Sequence, residues 1–162
     1  MNWWKAAQLQ VVPFNLEQEE YNEEPTDYDP YEREEQAQNV FREVKIRPTA
    51  PISHVAIENG VVVGSIASKW EREAHPDGDL WIYSFDVALK PEFQKAWGGM
   101  KLISEGIANY EREKKQYEWD GGITMMKLWV VNRDLIPILE RRYDFSLEAD
   151  YGPGGAHLVR YN

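Results

Sequence analysis

The stretch from residue 85 to residue 103, FDVALKPEFQKAWGGMKLI, decides how this chain folds and where its chemistry would lie. It begins as an apolar strand, turns at Pro91 and opens into a helical pattern at Gly98. The first amides of a helix have no partners within the helix and lie at the positive end of its dipole, so such a turn can hold an anion such as a pyrophosphate. Glycines are also common in such turns for steric reasons alone, and both interpretations stay open at this point.

The segments on either side predict further strands and helices. Asn59-Gly60 lies between two apolar runs and predicts a tight hairpin, because a primed turn needs residues that tolerate positive φ angles. Strands are predicted at 8–14, 54–57, 61–70, 80–89, 124–131, 145–148 and 156–161, and helices at 32–44, 98–118 and 134–143. The first helix has its apolar face at Ala37, Val40, Phe41 and Val44. Pro25 and Pro30 are expected to break the segment before it, and 151–155, rich in glycine, is expected to be a flexible loop.

Composition bounds the class of protein. The 162 residues, 43% of them apolar, suit one globular domain. The net charge of −10 is concentrated in residues 17–35, which hold ten acidic side chains and one basic one. The chain has no basic cluster, so we expect no binding to nucleic acid or to an anionic membrane.

Other features narrow the cellular setting. The chain has no cysteine, and its three histidines lack metal-ligand spacing, so we expect no disulfide and no metal site. No run approaches the roughly 18 apolar residues of a membrane span. These features favour a soluble, cytoplasmic protein.

The stretch of residues 85–103 resembles the acetyl-CoA-binding motif of the GNAT (Gcn5-related N-acetyltransferase) superfamily. Leu89-Lys90-Pro91 matches the end of the family's central strand, Gln94 stands at its Arg/Gln position, and Gly99 at its last small position. The hairpin at 54–70 is similar to the family's second and third strands. Asn132 matches the Asn that opens the family's last helix. Tyr143-Asp144-Phe145 stands where family members often have one residue followed by Gly-Phe. The resemblance covers about residues 52–161.

The resemblance implies an α/β (α+β) fold with a central mixed, mostly antiparallel sheet of six to seven strands. Its central strands would splay apart, and helices would flank it. Residues 1–45 would form an N-terminal strand and an acidic helical arm. Residues 46–162 would form the GNAT-like core, within a single domain overall.

The resemblance also implies acetyl-CoA as the cofactor and an N-acyltransferase in which an amine attacks the thioester directly. The pantetheine and pyrophosphate would be held by Val87, Leu89, Gln94, Lys95, Ala96, Gly98, Gly99, Met100 and Asn132. The candidates for acid–base catalysis are Asp86 and Tyr83 on the central strand, and Tyr143. The acidic segment favours a cationic amine acceptor.

A second hypothesis is a catalytically inactive GNAT-fold protein that acts as a structural or interaction module. Trp97 stands where the family usually has Gly, and the family's acid Tyr would fall at Leu139 or Glu140. Such domains resemble bacteriophage proteins, including virion components, which implies a virion location for this alternative. The acidic arm, with Trp3 and Trp4, would then bind a basic protein surface or form an oligomer.

Overall fold

The computed structural model describes residues 9–20, 29–94, 98–119 and 121–161. The strands are β1 (Gln10–Pro13), β2 (Ile52–Glu58), β3 (Val61–Glu73), β4 (Leu80–Leu89), β5 (Ile123–Val130), β6 (Ser146–Asp150) and β7 (Ala156–Tyr161). The helices are α1 (Leu16–Glu20), α2 (Pro30–Glu43), α3 (Gly98–Glu118) and α4 (Ile136–Tyr143). None of the helices in these ranges is long and apolar enough to cross a membrane.

The seven strands form one sheet in the order β1-β2-β3-β4-β5-β7-β6. β4 and β5 are parallel, whereas β1–β2, β2–β3, β5–β7 and β6–β7 are antiparallel. The predicted mixed sheet of six to seven strands, flanked by helices, is confirmed. It is mixed rather than mostly antiparallel, because the pair at its centre is parallel and needs the crossover through α3 to join its strands.

Local sequence signals account for most element boundaries. Asn59 and Gly60 have φ angles of 50° and 77°, which confirms the primed hairpin turn. Pro30 does not break the chain as expected: it occupies the first turn of α2, where its missing N–H is harmless. Asp29 caps that helix by accepting a hydrogen bond from the Tyr31 backbone N–H at 2.9 Å. The short helix α1 was not predicted.

The contacts divide the chain into two compact units. The first comprises the described residues up to Ala67 together with those of Val87–Glu105, and the second comprises Ser68–Asp86 and the described residues from Gly106 onward. The boundary expected at residue 45 stays a prediction. In the first unit, the apolar face of α2 is buried as predicted, at Ala37, Val40 and Phe41, and packs with β2 residues such as Val55.

In the second unit, aromatic rings pack between α3 and β4. Trp70 stacks on Tyr117 with ring centroids 4.1 Å apart, and it also contacts Tyr83 at 5.2 Å. Gly106 lets α3 approach the strand closely, because a Cβ there would lie 2.6 Å from the Phe85 ring. Trp119, just after the end of α3, is 86% exposed.

Candidate functional site

In the first unit, the end of β4 is closed into a tight turn by hydrogen bonds. The Gln94 side-chain amide donates to the Leu89 carbonyl oxygen at 2.8 Å. Pro91–Phe93 form one 3-10 turn, in which the Phe93 N–H donates to the Lys90 carbonyl at 2.9 Å. The Lys90 N–H donates to the Val63 carbonyl at 2.9 Å, which ties the turn to β3. The residue that the resemblance marks as Arg or Gln therefore fixes the shape of this turn.

Gly98 begins α3 directly against this turn. A Cβ at Gly98 would lie 2.1 Å from the Phe93 carbonyl oxygen and 2.8 Å from Leu89 Cδ2, so only glycine fits here. The first turn of α3 has no acidic residue, and Lys101 lies within it. The positive end of the α3 dipole is therefore not offset by an acid in that turn, an arrangement that favours an anion.

The structure brings together Leu89, Gln94 and Gly98, three of the predicted cofactor residues. Leu89, Gly98 and Met100 are buried, whereas Val87 and Gly99 are half-buried. Lys95, Ala96 and Trp97 lie outside the described residues, as do Trp3 and Trp4.

Asn132 lies in the second unit and caps the turn before the last helix. Its Oδ1 accepts a hydrogen bond from the Asp134 N–H at 3.1 Å, at the start of the 3-10 turn Arg133–Leu135 that leads into α4. Asn132 thus caps the 3-10 turn, whereas the N-cap of α4 itself is Leu135, which makes no side-chain bond. The role of Asn132 toward a cofactor stays a prediction.

The candidates for acid–base chemistry lie in different surroundings. Tyr83 and Asp86 are three residues apart on β4, so their side chains point to opposite faces of the sheet. Tyr83 is only 1% exposed, and its hydroxyl accepts a hydrogen bond from the Asn109 amide at 2.9 Å. Burial raises the pKa of Tyr83, with hydrogen bonds from Ser68 and Asn109 opposing the shift. This placement favours a packing role for Tyr83.

Asp86 and Tyr143 are both half-buried. Asp86 lies directly opposite Trp129 in the parallel ladder between β4 and β5. Tyr143 is the last residue of α4, and Asp144 follows it in the left-handed conformation, with φ 62°. Across the described residues, no three His, Asp or Glu side chains lie together as a metal ion would need.

An aromatic cluster that was not predicted from the sequence lies on β5 and β7 and in the loop between β6 and β7. The Trp129 and His157 rings meet edge to face at 4.6 Å, and the Tyr151 ring lies 5.8 Å from Trp129 and 6.1 Å from His157. A Cβ at Gly155 would lie 2.6 Å from the Trp129 ring, so the loop backbone packs on the indole. The aromatic residues 129, 151 and 157 were visible in the sequence, but their contact depends on strand register.

The glycine-rich loop that carries Tyr151 is held by specific bonds, which corrects the expectation of a flexible loop. Arg133 forms two hydrogen bonds with the Asp150 carboxylate, at 2.6 and 2.7 Å, and a third with the Gly152 carbonyl at 3.3 Å. The Tyr151 N–H donates to the Gly155 carbonyl at 3.0 Å. The Arg133 guanidinium and the Gly152 N–H hold the pKa of Asp150 below its ordinary value, at about 2.

Comparison with known proteins identifies the fold of this chain. No family model matches the chain, and no curated protein matches its sequence. Among solved structures, the chain is similar to an acetyltransferase of the GNAT family from Streptococcus pneumoniae, with a TM-score of 0.56, 11% identity, and 95% of this chain and 99% of the other covered. It is also similar to a tyrosine-to-phenylalanine mutant of the AtaT toxin bound to acetyl-CoA and to the C-terminus of the antitoxin AtaR. That match has a TM-score of 0.53, 10% identity, and covers 94% and 92% of the two chains. This chain therefore has the fold of the GNAT acetyltransferases.

Proposed function

We propose that this chain binds acetyl-CoA and transfers its acetyl group to a cationic amine. The observation that carries the proposal is the turn from Leu89 to Gly98, which leads β4 into the N-terminus of α3. One of the similar structures is an acetyltransferase of the GNAT family, and another was solved with acetyl-CoA bound. Both observations support the same ligand.

The residues of the turn fit a pyrophosphate. The backbone amides of Gly98, Gly99 and Met100 lie in the first turn of α3, where helical amides lack partners within the helix. They would hold the phosphate oxygens, together with Lys95 and Ala96, which follow Gln94 in the sequence. Val87 and Leu89 would bind the pantetheine arm along the end of β4.

Acetyl-CoA supplies a thioester carbonyl that an amine can attack. Asp86 would accept the proton that the ammonium must lose before its nitrogen can attack, either directly or through a water molecule. As the C–S bond breaks, Tyr143 would give a proton to the departing thiolate and regain one from the attacking nitrogen as the amide forms. Tyr83 is less suited to either step, because it is buried on the opposite face of β4 from Asp86.

Titration calorimetry with acetyl-CoA tests the binding step. We expect saturable binding, and Gln94→Ala should weaken it about twofold to tenfold, as expected when one hydrogen bond that shapes the turn is lost. Gln116→Ala is the matched control, since Gln116 is exposed near the other end of α3, and it should bind as the unaltered chain does. No binding by the folded protein at millimolar acetyl-CoA would refute the proposal.

Mass spectrometry of an added diamine tests the transfer step. Asp86→Asn should lower the rate of acetylation by about 100-fold or more, the usual contribution of a general base, while calorimetric binding of acetyl-CoA is retained. Equal rates for Asp86→Asn and the unaltered chain would remove Asp86 from the mechanism.

A catalytically inactive protein that still binds acetyl-CoA is the second candidate. The observation that favours it is on α4, at the two positions where the resemblance would place the tyrosine that acts as general acid. Leu139 is fully buried there, and Glu140 is exposed. Neither side chain can donate a proton as a phenol does. Calorimetric binding without any acetylated amine would select this candidate.

A partner for the acidic segment belongs to the same proposal. The AtaT toxin was solved with part of its antitoxin, so a protein of this fold can bind a protein partner. For this chain, we propose a basic partner surface, because Asp29, Glu32 and Glu35 are exposed around the start of α2. Loss of partner association in a Glu32→Lys, Glu35→Lys double variant, with the fold retained because both side chains are exposed, is the expected result. A virion location and a phage origin stay predictions.

A further inference from the structure

Three side chains form a row across one face of the sheet in the second unit. Asp86 of β4 lies directly opposite Trp129 of β5, and Trp129 lies directly opposite His157 of β7. Residues paired in this way project from the same face of a sheet, and neighbouring strands are about 4.8 Å apart. The row therefore presents a carboxylate, an indole and an imidazole in succession.

Tyr151 adds an exposed ring beside this row, whose Trp129 and His157 rings are half-buried. It is 60% exposed, and its ring lies 5.8 Å from Trp129. The faces of aromatic rings attract cations through their quadrupole, and a nearby carboxylate strengthens that attraction. A row that holds a carboxylate and an indole, with a tyrosine ring beside the indole, is thus a suitable surface for an ammonium group.

The loop that carries Tyr151 is already held in place. The Arg133–Asp150 ion pair and the Tyr151–Gly155 backbone bond fix its position, and Gly155 packs against the Trp129 ring. A ligand that docks here does not have to order the loop, and that lowers the entropic cost of binding.

His157 contributes a neutral ring to the row. Burial lowers the pKa of His157, and nearby Lys127 lowers it further while Glu148 opposes the shift, so the imidazole is neutral near pH 7. The Lys127 ammonium lies 3.9 Å from the Glu148 carboxylate, which partly offsets its charge. His157 Nδ1 is buried and has no hydrogen-bond partner among the described residues.

We propose that the row Asp86–Trp129–His157, with Tyr151 beside it, binds the ammonium group of the amine that this chain acetylates. The inference rests on the proposed function, since it names the acceptor site of that reaction. The ligand is an alkylammonium, which a free diamine and a lysine side chain share.

Saturation-transfer NMR with pentylammonium chloride, without acetyl-CoA, tests the site independently of the reaction. Pentan-1-ol is the uncharged comparison ligand, and we expect it to bind at least about fivefold more weakly, since it lacks a cation for the rings and for Asp86. Tyr151→Leu should weaken pentylammonium binding about twofold to fivefold, and Tyr151→Phe should retain it. Equal binding of the two ligands, or no effect of Tyr151→Leu, would overturn the proposal.

Tyr161→Leu is the matched control, because Tyr161 is 65% exposed and lies on β7 four residues from His157. It should leave pentylammonium binding unchanged, and weakening equal to that of Tyr151→Leu would also overturn the proposal. If calorimetry shows no acetyl-CoA binding but pentylammonium still binds more tightly than pentan-1-ol, the proposed function is refuted and the ammonium-binding site is supported.

Kinetics with 1,5-diaminopentane and with a peptide containing one lysine separate the two ligand sources. For the amine whose ammonium group binds at this row, Tyr151→Leu should raise KM about twofold to fivefold and leave kcat unchanged. A KM unaffected by Tyr151→Leu for both amines would overturn the assignment of this row to the acceptor.

Discussion

Gly98→Ala should destabilise the protein, although the same change usually stabilises a helix. Alanine is favoured over glycine within a helix by up to about 1 kcal/mol. At Gly98, however, the added Cβ would lie 2.1 Å from the Phe93 carbonyl oxygen, where at least 3.4 Å is ordinary contact. That carbonyl cannot move away freely, because the Phe93 N–H is bonded to Lys90 and the Phe93 side chain is buried.

Overpacking of this kind costs about 1–3 kcal/mol, and occasionally more, so we expect a net loss of about 2 kcal/mol in the free energy of unfolding. For a protein of this size that corresponds to a Tm about 4–8 °C lower. Urea unfolding followed by circular dichroism measures the first quantity, and calorimetry with acetyl-CoA should show weaker binding, because the start of α3 must shift.

Gly154→Ala is the matched control for this prediction. A Cβ there would have nothing nearer than Tyr151 Cβ at 4.0 Å, so its free energy of unfolding should change by less than about 0.5 kcal/mol. A Gly98→Ala protein as stable as the unaltered chain, or more stable, would refute the steric account of this glycine and leave helix propensity as the dominant effect.

Two further predictions concern the second unit. Thr124 is buried, and its hydroxyl donates to Glu118 Oε1 at 2.7 Å and lies 2.8 Å from the Tyr110 hydroxyl. Thr124→Val removes both of these hydrogen bonds, so it should lower the free energy of unfolding, measured by urea titration, by about 1–3 kcal/mol. Thr124→Ser keeps the hydroxyl, and a Val variant as stable as the Ser variant would contradict this explanation. The low pKa of Asp150, about 2, means that its ion pair with Arg133 contributes stability above the ordinary carboxyl pKa of about 3.9, and this contribution is lost as the pH falls toward 2. Urea midpoints measured across this range should fall less for Asp150→Asn than for the unaltered chain, and parallel curves for the two proteins would count against the pair.

Short-range patterns were sufficient to predict much of the fold. Asn59-Gly60 defined the hairpin because its φ requirement is local, and the apolar spacing from Gly98 onward defined α3 from its first residue to its last. Pro30 was misjudged because the same residue can end one segment or begin a helix, and only the Asp29 cap shows which applies.

The candidate site was predictable only where its residues are close in sequence. Leu89, Gln94 and Gly98 lie within ten residues of one another in the sequence, and the structure brings them together. The opposite orientation of Tyr83 and Asp86 follows from their odd spacing, which the sequence already contained.

The contacts that depend on distant residues were not predictable in the same way. The Trp129–His157 contact depends on the register between β5 and β7, which no local pattern specifies. The loop at 151–155 was expected to be flexible because its glycines are permissive, but its order comes from Arg133, which is 17 residues from Asp150 in the chain.

The division into two units also bears on how the chain folds during synthesis. Neither unit is one continuous stretch: the first needs Val87–Glu105 to be complete, and the second begins at Ser68 but needs β7. The residues of the first unit, up to Glu105, are therefore synthesised before most of α3 and the last three strands. Until β5 is made, β4 has no partner on that side, so its edge is open to pairing with another chain.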